Sequence, residues 1–456
     1  MAEPGRITRR LSRASPLVLN GYAVTLSFAT YFCMYAFRKP FTAATYESLY
    51  FLGTALQLKT VLVISQIIGY AASKFIGIKV CSEASRNQRA VMLAMLVVAA
   101  ELALVLFAVV PAPWKAAAIF LNGLPLGMVW GLVVRYLEGR RTSEILLAGL
   151  ACSFIVSSGV VKDVGRALLA GDAVFGVPLL DFPAMSQFWM PAVAGLLFLP
   201  LFLLSVWLLN QLPEPTVLDV AERTERVPMN RAQRQDFMRR FFPGMVMLVA
   251  AYFLLTAFRD FRDSYMVEIL DELGHSYQRN ANAISKMELG VTLGVFAVMG
   301  AMFFIRDNRR AMLCIFAVMA VGMLVVGGAT VMWSYGNLDG YWWMSWLGFG
   351  LYLVYVPYNA LLFDRLIAWT GTAGTAVFAI YVADALGYTG SIGVQVFRDV
   401  LVGDTSRAIF LARFAGLMSI TGVVLIAGSA VYFLGGSTGT ATPGGAEGEL
   451  DGRTGR

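Results

Sequence analysis

Histidine is almost missing from this 456-residue chain, which has His275 alone, and its four cysteines, Cys33, Cys81, Cys152 and Cys314, form no CxxC pair. That scarcity excludes a paired-histidine zinc motif and a disulfide framework, and the cysteines read as small apolar filler. No Walker lysine loop is present, nor the interleaved basic and aromatic stripe of a nucleic-acid binder. Charge is scarce too, at 14% of residues. A membrane enzyme would have to rest on Asp260 and Asp263, which lack a histidine or cysteine partner for acid/base work. A function that is not enzymatic, with no cofactor and no metal, is expected.

Apolar surface is what the chain has in excess. At 58% hydrophobic residues, it carries more than a soluble core could hide, so the bilayer is the expected solvent. The net charge of +7 then speaks to lipid headgroups and topology rather than to nucleic acid. No short apolar core with a small-residue cleavage site follows Arg6 to Arg13, so the first apolar run is expected to stay as a helix.

Twelve apolar spans are predicted, at 18–38, 49–77, 89–110, 115–137, 143–170, 186–209, 241–270, 280–305, 309–332, 341–363, 371–399 and 407–434. The predicted division is an N-terminal segment 1–17, a six-helix bundle 18–209, a polar linker 210–240, a second six-helix bundle 241–434 and a disordered tail 435–456. Placing the N-terminus in the cytoplasm gathers Arg6 to Arg13, Lys79, Arg86, Arg89, Arg140, Arg141, Arg223 to Arg240, Arg306, Arg309 and Arg310 on one side. Lys59, Lys115, Arg279 and Arg407 remain on the other, the positive-inside asymmetry. Both termini are expected to be cytoplasmic, in a bacterial inner membrane.

The octet Tyr31-Phe32-Cys33-Met34-Tyr35-Ala36-Phe37-Arg38 recurs 221 positions later as Tyr252-Phe253-Leu254-Leu255-Thr256-Ala257-Phe258-Arg259. Asn87, Arg89 and Ala90 precede Asn308, Arg310 and Ala311 by the same 221, so the chain reads as two related halves in tandem. Charge inside the spans needs a wet cavity or a partner, because an arginine, lysine or aspartate at a helix centre costs about 2.5–3.5 kcal/mol. Arg38 and Arg259 stand out as repeat equivalents. A pseudo-twofold axis would bring them face to face, where they repel unless an anion sits between them. Guanidinium suits phosphate, since it donates bidentate hydrogen bonds and keeps its charge. Asp260, Arg262 and Asp263 on the same helix add candidates for coupling.

Several stretches resemble a known family. Tyr35-Ala36-Phe37-Arg38-Lys39, Ser73-Lys74-Phe75-Ile76, Gly127-Met128-Val129-Trp130 followed by Arg135, Arg259, and Gly387-Tyr388-Thr389-Gly390 resemble the major facilitator superfamily. Within it, they look like the organophosphate:phosphate antiporters of the glycerol-3-phosphate transporter type. The resemblance implies an all-α membrane protein of twelve transmembrane helices in two pseudo-symmetric bundles. Arg38 and Arg259 fall on that family's substrate-phosphate arginines, and Lys39 and Lys74 on lysines near the same cavity. Two departures stand out: Phe154 is at about the place of the family's binding histidine, and the loop Gly77 to Glu83 lacks its acidic-then-arginine pattern.

The same resemblance places helix 5 beside helix 8 and helix 2 beside helix 11. It therefore predicts gate pairs of Lys162 or Asp163 with Lys286 or Glu288, and of Lys74 with Asp384. Helices 1, 4, 7 and 10 should line the cavity, making Tyr31, Tyr35, Trp130, Arg135, Tyr252, Tyr352, Tyr355 and Asn359 candidates to shape the organic part of a cargo. The expected function is a monomeric secondary transporter of a small organic anion, a phosphorylated metabolite exchanged for inorganic phosphate. A sensor on the same fold and a proton-coupled transporter of another metabolite remain as alternatives.

Overall fold

A computed structural model of the chain describes residues 5–83, 85–140, 142–215, 239–302, 304–305, 307–370, 376–403 and 405–435. Twelve long helices dominate them. The first six are α1 Pro16–Arg38, α2 Leu58–Glu83, α3 Arg86–Val109, α4 Lys115–Leu137, α5 Ser143–Ala170 and α6 Met190–Leu209. The second six are α7 Phe242–Ser264, α8 Ala283–Met302, α9 Asn308–Ser334, α10 Gly340–Ala360, α11 Ala376–Phe397 and α12 Arg407–Gly435. Most of the linker and the tail lie outside the described residues.

Local chemistry sets the helix ends. Pro16 opens α1, where its missing N–H costs nothing, and the Ser15 side chain accepts from the Val18 amide. Asp307 and Asp339 cap α9 and α10, accepting from the amides of Arg310 and Tyr341. Gly171, in the left-handed region at φ +76°, stops α5. The second helix starts nine residues later than its predicted span at 49. Pro40–Ala43 forms a single 3₁₀ turn, and Tyr46, Ser48 and Leu52 adopt positive φ, so this stretch is an irregular strap.

Ten of the twelve helices are long and apolar enough to cross a membrane, and their outer faces carry exposed Leu102, Val109, Leu324, Ile420 and Val424. Soluble proteins rarely expose such a belt. Packing repeats in the two halves: α1 lies on α5 and α6 as α7 lies on α11 and α12, and α3 lies on α4 as α9 lies on α10. Between the halves, α8 packs on α5, α11 on α2, and α10 on α5. Helix α5 is thus enclosed from both halves; 83% of its central stretch is buried, against 33% for α1.

Without water to drive association, helices in a bilayer gain from close backbone approach. Helices α2 and α4 achieve it through glycine. A Cβ at Gly123 would sit 2.6 Å from the Gln66 carbonyl oxygen, one at Gly127 2.5 Å from that of Tyr70, and one at Gly69 2.3 Å from that of Phe120. Gly127→Val should therefore part the two helices. The expected result is little monodisperse protein on size exclusion and a lower apparent melting temperature, consistent with about 1–3 kcal/mol or more of overpacking.

Candidate functional site

Helical spacing sets up the site. Tyr31, Tyr35 and Arg38 share one face of α1, and α1 ends at Arg38, whose carbonyl accepts from Gln66 Nε2 at 2.7 Å. Asn122 of α4 donates to the Phe37 and Ala100 carbonyls at 2.9 and 3.0 Å, and Gln66 joins it at 2.9 Å. Two buried amides thereby satisfy carbonyls that the helix end leaves free and fix where Arg38 leaves the backbone.

The Arg38 guanidinium lies 3.9 Å from the centre of the Tyr70 ring and 5.6 Å from that of Tyr35. Among the described residues no carboxylate pairs with it, and its Nε is buried without a hydrogen-bond partner. Its repeat equivalent is placed differently. Arg259 donates through Nε and Nη2 to Asp260 Oδ1 at 3.1 and 2.6 Å, over the Tyr355 ring at 4.2 Å. Ser391 of α11 holds the other oxygen of Asp260 at 2.7 Å.

A third cluster joins the halves. Asp263 of α7 receives Lys39 Nζ at 2.5 Å on Oδ2 and Lys162 Nζ at 2.5 Å on Oδ1, with the Ser158 hydroxyl as a third donor. Phe154, Ser158 and Lys162 stand four residues apart along one face of α5.

These groups surround one cavity between the halves. It is lined by Tyr35, Arg38, Lys39, Phe154, Ser158, Arg259, Asp260, Asp263 and Tyr352, and contains about 280 Å³ of space between atoms, part of it open to solvent. Its enclosed part has room for little more than a water molecule. Three cations face two carboxylates on this lining, and each carboxylate is already engaged. Arg38 is left as the cation with unspent donors.

Other residues singled out from the sequence lie outside this lining. Lys74 meets Asp384 Oδ2 at 2.5 Å, and Tyr252 donates to Asp384 Oδ1 at 2.6 Å. Trp130 packs behind the wall, edge-on to Tyr31 at 4.9 Å. Tyr355 stacks on Tyr252 at 5.5 Å, and Asn359 turns back to the Tyr355 carbonyl. Arg135 corrects its expectation as a cavity residue: it sits in the last turn of α4, 38% exposed, near Glu138 at 3.8 Å.

The pairing across α5 and α8 also differs from expectation. Lys162 goes to Asp263, while Asp163 accepts from the Ser285 amide and hydroxyl, both at 2.7 Å. Lys286 is exposed. Glu288 pairs with Arg262 at 2.9 Å, and Arg262 also donates to the Met344 carbonyl at 2.9 Å, so that pair binds α7, α8 and α10 within one half. The reason is steric: Gly159 lets α8 approach α5 so closely that a Cβ there would lie 3.0 Å from Ile284 O and Glu288 Cγ. At that depth Glu288 takes Arg262 at 2.9 Å and Lys162 takes Asp263 at 2.5 Å.

Sequence reasoning missed Tyr70, Ser158, Ser391 and the Lys59–Glu268 pair, which joins the start of α2 to the short helix Met266–Glu272. Thr60 and Tyr265 bond beside it at 2.6 Å. A signal existed for Ser158, at helical spacing between Phe154 and Lys162; none existed for a pair 209 residues apart. His275 bonds Asp339 at 3.0 Å next to the α10 cap.

Removing the charge of Asp263 should strand two buried lysines. Asp263→Asn is expected to cost about 3–5 kcal/mol, read as a fall in apparent melting temperature. Adding Lys162→Met should restore part of it. An equal fall in the double variant would show that the lysines do not depend on this carboxylate.

The geometry has solved counterparts. The crystal structure of a D-xylose-proton symporter superposes with a TM-score of 0.57 at 15% identity, covering 90% of this chain and 97% of that one. The human organic anion transporter MFSD10 (TETRAN) gives 0.52 at 12% identity, covering 90% and 100%. Both share the major facilitator fold, so this chain is an all-α membrane protein of that fold. No curated protein matches the sequence. By the match of its family model to residues 40–435, the chain belongs to DUF5690, a family of unknown function.

Proposed function

We propose that this protein is a secondary transporter that carries a small organic anion by alternating access, its anionic head taken up by Arg38. The observation that supports this reading most is the Arg38 side chain itself: buried, inside a cavity between two halves, and without a carboxylate among the described residues. A buried cation is tolerated when something compensates it, and a phosphate or carboxylate would do so through the fork. Lys39 and Arg259 add positive potential from the same lining.

Asp260 is the internal substitute for a second anionic contact. It occupies Arg259 when no cargo is bound, so the two guanidiniums need not repel across an empty cavity, and the empty carrier can close. Net flux is then possible beside exchange for inorganic phosphate.

With the N-terminus in the cytoplasm, the Lys74–Asp384 pair lies on the cytoplasmic side of the cavity. The contacts Lys59–Glu268, Thr60–Tyr265 and Asp163–Ser285 seal the opposite side. Each joins one half to the other and both sets are made here, so opening the cavity to either side must break the set on that side while the other holds.

Arg38→Lys keeps the charge and loses the fork. Cargo affinity should fall about 10- to 100-fold, the worth of a charge-assisted bond, measured by thermal-shift titration with phosphorylated and carboxylated metabolites. Unchanged affinity would reject Arg38 as the anion site. Asp260→Asn should spare exchange between loaded faces in proteoliposomes and cut net uptake at least about tenfold, since an empty variant leaves two like charges unneutralised. Binding without flux in the wild type would identify a sensor instead.

A further inference from the structure

Beside its charges the cavity is lined by the rings of Tyr35, Phe154 and Tyr352, with Tyr355 and Trp130 packed behind them. Phe154 of α5 bridges the halves, with its centroid 5.9 Å from Tyr352 and 5.8 Å from Tyr355 of α10, and 6.4 Å from Trp130 of α4. The hydroxyls behind this wall are spent on one another: Tyr31 and Tyr70 lie 3.4 Å apart, and Tyr252 and Tyr355 3.3 Å apart. Among the described residues no asparagine or glutamine lines the cavity, its one serine hydroxyl is committed to Asp263, and the Tyr35 and Tyr352 hydroxyls are its other uncharged polar groups.

The body of a cargo whose head sits on Arg38 would meet this wall. A polyhydroxylated body would find two phenol hydroxyls, those of Tyr35 and Tyr352, set in ring carbon, and most of its own hydrogen bonds would go unmade, which buried sites penalise heavily. A flat apolar body would make offset or edge contacts of the kind the rings now make with each other. The enclosed space holds about a water molecule, so entry of any body requires the lining to part, and Phe154 against Tyr352 is a contact between the halves within that lining. The ring a cargo touches is therefore also a contact across which the halves separate.

We infer that the cargo carries an aryl group behind its anionic head, and that Phe154 is the residue that selects it. This rests on the anion reading above and narrows its substrate class. Phosphate and carboxylate heads both suit Arg38, and the probes distinguish them.

The test is equilibrium binding of phenyl phosphate, benzoate and glycerol phosphate to the purified full-length protein, with Arg38→Gln and Phe154→Leu variants alongside. Phenyl phosphate or benzoate should bind at least about tenfold more tightly than glycerol phosphate, and the better of the two names the head. Phe154→Leu keeps an apolar side chain, smaller and without the ring, and should shrink that preference about 3- to 10-fold, the range of a lost aromatic pair. Equal or tighter binding of glycerol phosphate, or an unchanged preference in Phe154→Leu, overturns the aryl inference and leaves the anion reading standing. If no probe binds, or if Arg38→Gln binds all three as the wild type does, the anion reading falls and this inference with it.

Discussion

One carboxylate, Asp263, holds the two halves in register. It sits on α7, yet all three of its donors come from the other half: Lys39 at the end of α1, and Ser158 and Lys162 on α5. In water such a cluster would add little. Away from water each charge needs the others, and the cluster acts as a lock more than as a net source of stability, because assembling buried ions roughly breaks even while removing one does not. The meeting of Lys39 with α7 and one wall of the cavity follow from it.

Around that lock the duplication has been made unequal. Arg38 and Arg259 are equivalent by the 221-residue repeat, but the next positions, Lys39 and Asp260, carry opposite charge. The second arginine therefore has a carboxylate beside it and the first does not. A symmetric pair of arginines would need two anionic contacts or stay apart when empty. In the observed arrangement Asp260 neutralises Arg259, and the enclosed part of the cavity has room for little more than a water molecule. Opposite charges at this one repeat position leave Arg259 neutralised and Arg38 without a carboxylate among the described residues.

Much of this was legible in the chain. The twelve spans and the repeat could be read because apolar runs and a fixed offset are one-dimensional properties, and the Lys74–Asp384 contact followed from helix neighbours that the family resemblance supplied. The partners of Lys162 and Glu288 could not be read. Four ionisable residues on α5 and α8 allow several pairings, and the choice among them was made by Gly159, which brings α8 onto α5 at a particular depth, and by Arg262 arriving from α7. Arg135 misled for a related reason: helix periodicity gives the face of a residue but not its height relative to a cavity.

Composition and periodicity by themselves determined that the chain is a helical bundle for a bilayer, built twice, with charge where lipid forbids it. Those conclusions need only the hydrophobicity of single residues and their order. Which charge satisfies which, and which one is left over, was decided by the tertiary structure. Buried ions interact over a few ångströms, and distances on that scale exist only once helices from both halves have packed.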